Sequence, residues 1–175
     1  MRTLVLGLGN ELAADDAVGL LVARAVRERL QGRADVVESS ASGMALIEIL
    51  AGYDRAVVVD AILTGRTAPG TVSEMGMVQV GRVVAPSTHQ AGVPELAAVA
   101  RRLGLTFPTT TRVLAVEVED PFTIGGAMSR SVAEAVAGMV DRVVDLVEGW
   151  ALPDPSASGG AACTTTTPST SSSSA

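Results

Sequence analysis

The sequence predicts an α/β fold built on a mostly parallel sheet. Short apolar runs alternate with apolar patterns at helical spacing along the chain, which is the signature of βαβ units. The opening stretch, MRTLVLGLGNELAADDAVG, runs a short apolar segment into a glycine turn and then into two acids ahead of a helical pattern. A chain of 175 residues suits one domain with a proper core and is short for two.

Residues 4–8 form the first expected strand, closed by Gly7-Leu8-Gly9-Asn10, where small residues let the backbone turn tightly. A helix over 16–30 follows from the spacing of Val18, Leu21, Val22, Ala25 and Val26, with Asp15 and Asp16 at its N-terminus, where negative charge is favoured. Residues 35–38 read as a second strand, the Ser39–Gly43 stretch as a loop and 44–50 as a helix. Tyr53-Asp54-Arg55 turns the chain into its strongest strand, 56–59, which runs directly into Asp60. The breaker-rich segment 64–70 leads to 71–77, expected as an edge strand because Pro69 and its flanking glycines permit little else, and the expected fold has one antiparallel edge strand. The polar segment Pro86-Ser87-Thr88-His89-Gln90 precedes a helix over 94–103. A fifth strand, 111–118, ends among Glu117, Glu119 and Asp120, and a final helix over 129–148 carries the stripe Val132, Val136, Met139, Val140, Val143, Val147. Residues 1–150 are expected as the folded domain, and 151–175 as a low-complexity tail too polar to offset the entropy of ordering. No internal repeat is present.

Composition narrows the function. A formal charge of −6 argues against nucleic acid or an anionic membrane as the main partner and favours a protein or a small molecule. All 13 basic residues are Arg, which reads as genomic bias and decides nothing. The single Cys, Cys163, lies in the tail, so neither a disulfide framework nor a thiolate metal cage is available within one chain, and a reducing cytoplasmic setting is expected. No apolar run reaches membrane-spanning length and no signal peptide is legible. One Trp, one Tyr and two Phe leave the core to aliphatic side chains.

Three residues fall where an α/β sheet delivers its strand ends: Asp16, Asp60 and His89, the single histidine. Each has an ordinary reading as well, Asp16 as the acidic first turn of a helix, Asp60 as a turn cap, His89 as a surface residue. Together, two carboxylates and an imidazole make an open ligand set for a borderline divalent metal such as nickel, zinc or manganese. The Gly7-x-Gly9 turn is a poor dinucleotide fingerprint, because Leu12 stands at the third glycine position and two acids occupy the place of the pyrophosphate.

The pattern Gly7-x-Gly9-Asn10-x-Leu12-x-x-Asp15-Asp16-x-x-Gly19, then Val-Val-Asp60-Ala61, then Ser87-Thr88-His89-Gln90-x-Gly92-x-x-Glu95-Leu96, resembles the nickel–iron hydrogenase maturation endopeptidases over residues 1–150. The resemblance implies a three-layer α/β/α fold with a twisted five-stranded sheet and helices on both faces. It implies a cytoplasmic endopeptidase that removes a C-terminal extension from a hydrogenase large-subunit precursor once nickel is inserted. Asp16, Asp60 and His89 then contact a nickel supplied by the precursor, and no organic cofactor is expected. The attacking water is activated either by metal polarisation of the carbonyl or by one of the two acids. Two positions depart from the family pattern: Asp16 stands where relatives frequently carry Glu, and the loop after the second strand keeps only Glu38, Gly43 and Met44 as candidate substrate-handling residues. The partners expected are the precursor, with no nucleic acid and no membrane, and the chain acts as a monomer. A non-cleaving nickel-checking chaperone and a nucleotide-handling enzyme are the alternative readings.

Overall fold

The computed structural model describes residues 1–76 and 93–151. Strand β1 (Thr3–Leu8) passes through a turn and the short 3-10 helix Asp15–Ala17 into α1 (Val18–Val26). Strand β2 (Asp35–Ser39), helix α2 (Ala45–Leu50) and strand β3 (Arg55–Ile62) follow, then β4 (Val72–Gly76), α3 (Val93–Arg102), β5 (Thr110–Glu117) and the long α4 (Arg130–Ala151).

The five strands form one sheet in the order β2-β1-β3-β5-β4. The ladders β1–β2, β1–β3 and β3–β5 are parallel, and β4 pairs antiparallel with β5 at the edge, as the sequence predicts. β1 and β3 are apolar on both faces because both faces are covered. Side chains alternate across the sheet: Val5, Val57 and Val59 pack with Val18, Val22 and Val26 of α1 and with Val132, Val143 and Val147 of α4. Leu4, Leu6, Leu8, Ala56 and Val58 pack on the other face with Leu46, Ile47 and Leu50 of α2 and Leu96 and Ala100 of α3. This is the expected three-layer arrangement with an aliphatic core. The edge strand β4 is blunted by charge, since Glu74 holds Arg142 of α4 at 2.6 Å.

Some expected boundaries move. The helix expected over 16–30 is a 3-10 turn followed by α1 ending at Val26, and the chain then tightens into turns, with Arg27 N–H donating to Arg24 O. Asp60 does not terminate β3. The ladder with β1 ends at the pair Gly7–Val59, while that with β5 runs on to Ile62–Glu117, so Asp60 leaves one neighbour and stays paired with the other. The last helix runs past its expected end at 148 to Ala151, the first residue of the expected tail; residues 152–175 and His89 lie outside the described residues.

Candidate active site

The strand order reverses direction at β1: the chain crosses to β2 on one side, then to β3 on the other. Open α/β sheets bind ligands in the crevice outside the carboxyl ends of the strands at such a point. Both Asp16, following β1, and Asp60, on β3, sit there.

The turn after β1 is forced tight by contact. A Cβ at Gly9 would stand 2.0 Å from the carbonyl oxygen of Asp16, and one at Gly19 would stand 2.2 Å from Leu8 O and 2.6 Å from Val59 O. Only glycine lets the start of α1 lie directly against the ends of β1 and β3. The turn amides are already engaged: Gly9 N–H donates to Ser39 O at 3.1 Å and Asn10 N–H to Asp16 Oδ2 at 2.8 Å. Amides spent in this way cannot cradle a phosphate, which removes the physical basis of the nucleotide reading.

Asp16 is buried, with one carboxylate oxygen anchored on the Asn10 amide. Asp60 is 0 % exposed and its Oδ1 accepts the Ala61 N–H at 2.9 Å. Asp60 stands level with Leu8, one step beyond the Gly7–Val59 pair, and Asp16 is tied to the backbone two residues beyond Leu8. Adjacent strands are about 4.8 Å apart, so both carboxylates belong to one corner of the sheet. Asp60 alternates with Val58 and Ile62 on the face that α3 covers. His89, four residues ahead of α3, lies outside the described residues. Among those residues no group of three or more His, Cys, Asp or Glu could hold a metal ion.

Asp15 has a different role. It is 0 % exposed and its carboxylate accepts backbone amides from Glu119 (3.1 Å), Asp120 (3.0 Å) and Ser129 (2.6 Å). It clamps the β5–α4 connection against the turn after β1. Sequence reading treats it as a helix-start acid; only its proximity to residues more than a hundred positions away exposes this role.

Glu38 is occupied by Arg24 (2.6 Å) and Arg27 (2.7 Å), and Arg24 also holds Glu11 at 2.8 Å. It sits on the wall of a cleft of about 300 Å³ with Gly9, Asn10, Ser39 and Ser40. Gly43 takes φ +59 in the turn before α2, and Met44 beside it is exposed. At the end of β5, Glu117 is nearly buried. Burial pushes its carboxyl up, but hydrogen bonds from Thr64, Gly65 and Thr67 outweigh burial and hold it below the usual value of 4.5. Asp120 is held low by Thr123 and Phe122.

A family model described as hydrogenase maturation protease matches residues 20–146. The chain is 31% identical over 120 residues to the Hydrogenase 2 maturation protease of Escherichia coli (strain K12), covering 66% of this chain and 73% of that protein. It is 26% identical over 156 residues to the hydrogenase expression/formation protein HupD of Rhizobium leguminosarum bv. viciae, covering 86% of this chain and 76% of that one. Among solved structures, the hydrogenase maturating endopeptidase HybD from E. coli superposes with a TM-score of 0.71 at 24% identity, covering 86% of this chain and 94% of that one, a likeness of fold. The NiFe hydrogenase maturation protease HybD from Thermococcus kodakarensis gives 0.66 at 27% identity, covering 84% and 99%. No helix among the described residues is long and apolar enough to cross a membrane.

Proposed function

Since the chain belongs to the hydrogenase maturation protease family and is an endopeptidase, we propose that it removes a C-terminal extension from the large-subunit precursor of a nickel–iron hydrogenase. In this reading Asp16, Asp60 and His89 grip nickel already held by the precursor, and the reaction runs in the cytoplasm with the chain as a monomer. The observation that carries it is the pair of buried carboxylates, Asp16 and Asp60, at the carboxyl ends of adjacent parallel strands where the sheet order reverses.

A divalent cation suits a corner that offers two buried carboxylates, because its charge balances theirs. Oxygen donors with one imidazole suit a borderline metal, and an incomplete protein set leaves room for ligands from the substrate. Nickel held by Asp16, Asp60 and His89 would supply a recognition element and a Lewis acid beside the scissile carbonyl. The chain's own part is to hold that carbonyl in place, with Asp16 and Asp60 each fixed through a backbone amide, and to take a proton from the attacking water on one of the two acids. The departing amine then takes up a proton as the peptide bond breaks.

Incubation with nickel-loaded and nickel-free precursor, followed by mass spectrometry of the precursor's C-terminus, tests the reading. Loss of the extension from the loaded form alone is expected. Binding without mass loss would make the chain a checking chaperone, and equal trimming of both forms would remove nickel from recognition.

A further inference from the structure

Asp60 lies on the stretch of β3 that β1 no longer supports. Past the Gly7–Val59 pair the strand is held by β5 alone, with Asp60 level with Ala115 and Ile62 level with Glu117. We propose that Glu117 is a positioning residue for the trimming reaction, fixing the end of β3 and with it the Asp60 carboxylate, an inference that rests on the function proposed above.

Glu117 is buried on the same face of the sheet as Asp60. It alternates with Val113 and Ala115 as Asp60 does with Val58 and Ile62, and those four pack against α2 and α3. Strand spacing and rise put the two residues roughly 8 Å apart. The chain leaving β3 winds round Glu117. Its carboxylate accepts the Thr64 N–H at 2.6 Å, the Gly65 N–H at 2.7 Å, and the hydroxyls of Thr64 at 2.5 Å and Thr67 at 3.4 Å. Its backbone closes the far end of the same connection: Gly70 N–H donates to Glu117 O at 2.8 Å, and Glu117 N–H to Thr71 O at 2.9 Å.

A buried carboxylate destabilises a fold unless its acceptor positions are filled, and a turn between β3 and β4 requires none. Here the donors all come from residues 64–67, so the interaction serves to hold that stretch still. Only Leu63 separates the last residue of β3 from the first clamped amide. Slack in the loop therefore passes straight to the strand end that carries Asp60. The turn after β1 brings Asp16 in from one side of Asp60, and the clamped loop braces the other. Displacing a reacting group by about 1 Å is enough to slow catalysis by up to about a hundred-fold.

The test compares Glu117→Ala and Glu117→Gln with Val147→Ala, a core truncation that lowers stability at the opposite end of the sheet, three residues before Trp150, whose carbonyl accepts from Arg55 at the start of β3. The readouts are amide hydrogen exchange at Thr64 and Gly65 in the free protein, and steady-state trimming of nickel-loaded precursor at a temperature where each variant is folded. Glu117→Ala should exchange these amides fast and lower kcat by about ten-fold or more with KM within about two-fold. Glu117→Gln keeps an acceptor for both amides and should restore slow exchange and a kcat within about three-fold of wild type. Val147→Ala should match wild type in both readouts. Should Glu117→Ala fail to fold, Thr64→Val, which removes one hydroxyl donor, carries the same test with kcat lowered about three-fold. Fast exchange with an unchanged kcat overturns the proposal, because the loop then moves without consequence for the reaction. Slow exchange in Glu117→Ala overturns it by showing that the loop stands without the carboxylate. An equal fall of kcat in Val147→Ala reduces the effect to lost stability, and a Glu117→Gln no better than Glu117→Ala makes charge and not the clamp the cause; either overturns it too. Absence of trimming by wild type defeats the parent function, whereas trimming that Glu117→Ala leaves unimpaired defeats this inference alone.

Discussion

Asp15 and Asp16 are adjacent, chemically identical and buried, yet the backbone assigns them different work. Three of about four acceptor positions on the Asp15 carboxylate are filled by amides of the β5–α4 connection. Asp15→Ala removes the acceptor of three part-buried amides, so a loss of about 2 kcal/mol is expected in urea unfolding. Asp16→Asn keeps an acceptor for the Asn10 amide and should cost less than about 1 kcal/mol while abolishing trimming. Asp16 is legible in the sequence as the candidate of the pair; the clamp made by Asp15 is not, because its partners are more than a hundred residues away. Glu117 sets a pH dependence. Its folded carboxyl titrates below its ordinary value, so it contributes stability present above the unfolded pKa and lost as pH falls through the folded one. Wild type should therefore lose thermal stability on acidification below about 4.5, and Glu117→Gln, less stable at neutral pH, should lose less of it over the same range.

At the scale of the element, the turn from β1 into α1 holds the corner together. Gly19→Ala drives a methyl into two backbone carbonyls that cannot move aside, an overpacking worth about 1–3 kcal/mol or more. Gly138 sits on α4 with nothing within 4 Å of an added Cβ, and Gly138→Ala should instead stabilise by about 0.5–1 kcal/mol. Thermal unfolding of the two variants, moving in opposite directions, checks that the constraint is contact and not helix propensity. The strands are legible because each is a short apolar run between breakers. The end of β3 is not, since its last residues are held by β5 alone, and sequence period carries no information on which neighbour a strand retains. The start of α1 is missed for a related reason: Asp15 turns its carboxylate to a distant segment and caps no amide of its own first turn, which is a 3-10 helix.

For the whole molecule, the order β2-β1-β3-β5-β4 turns chain-distant acids into neighbours. Alternation of strand and helix gives the parallel sheet and its layers, and the antiparallel edge follows from the breakers before β4. Strand order is not written in local periodicity; it enters through the motifs spread over three segments, which carry the family likeness before any neighbour is known. Asp16 and Asp60 are legible as candidates on that ground, and the sheet brings them to one corner.

The measurement that bears most directly on the account is mass spectrometry of the nickel-loaded precursor's C-terminus after incubation with Asp16→Asn, Asp60→Asn and His89→Ala beside wild type, each first verified as folded by its thermal transition. The account predicts removal of the extension by wild type and an intact precursor with every variant. Trimming at the wild-type rate by folded Asp16→Asn, Asp60→Asn or His89→Ala would contradict it.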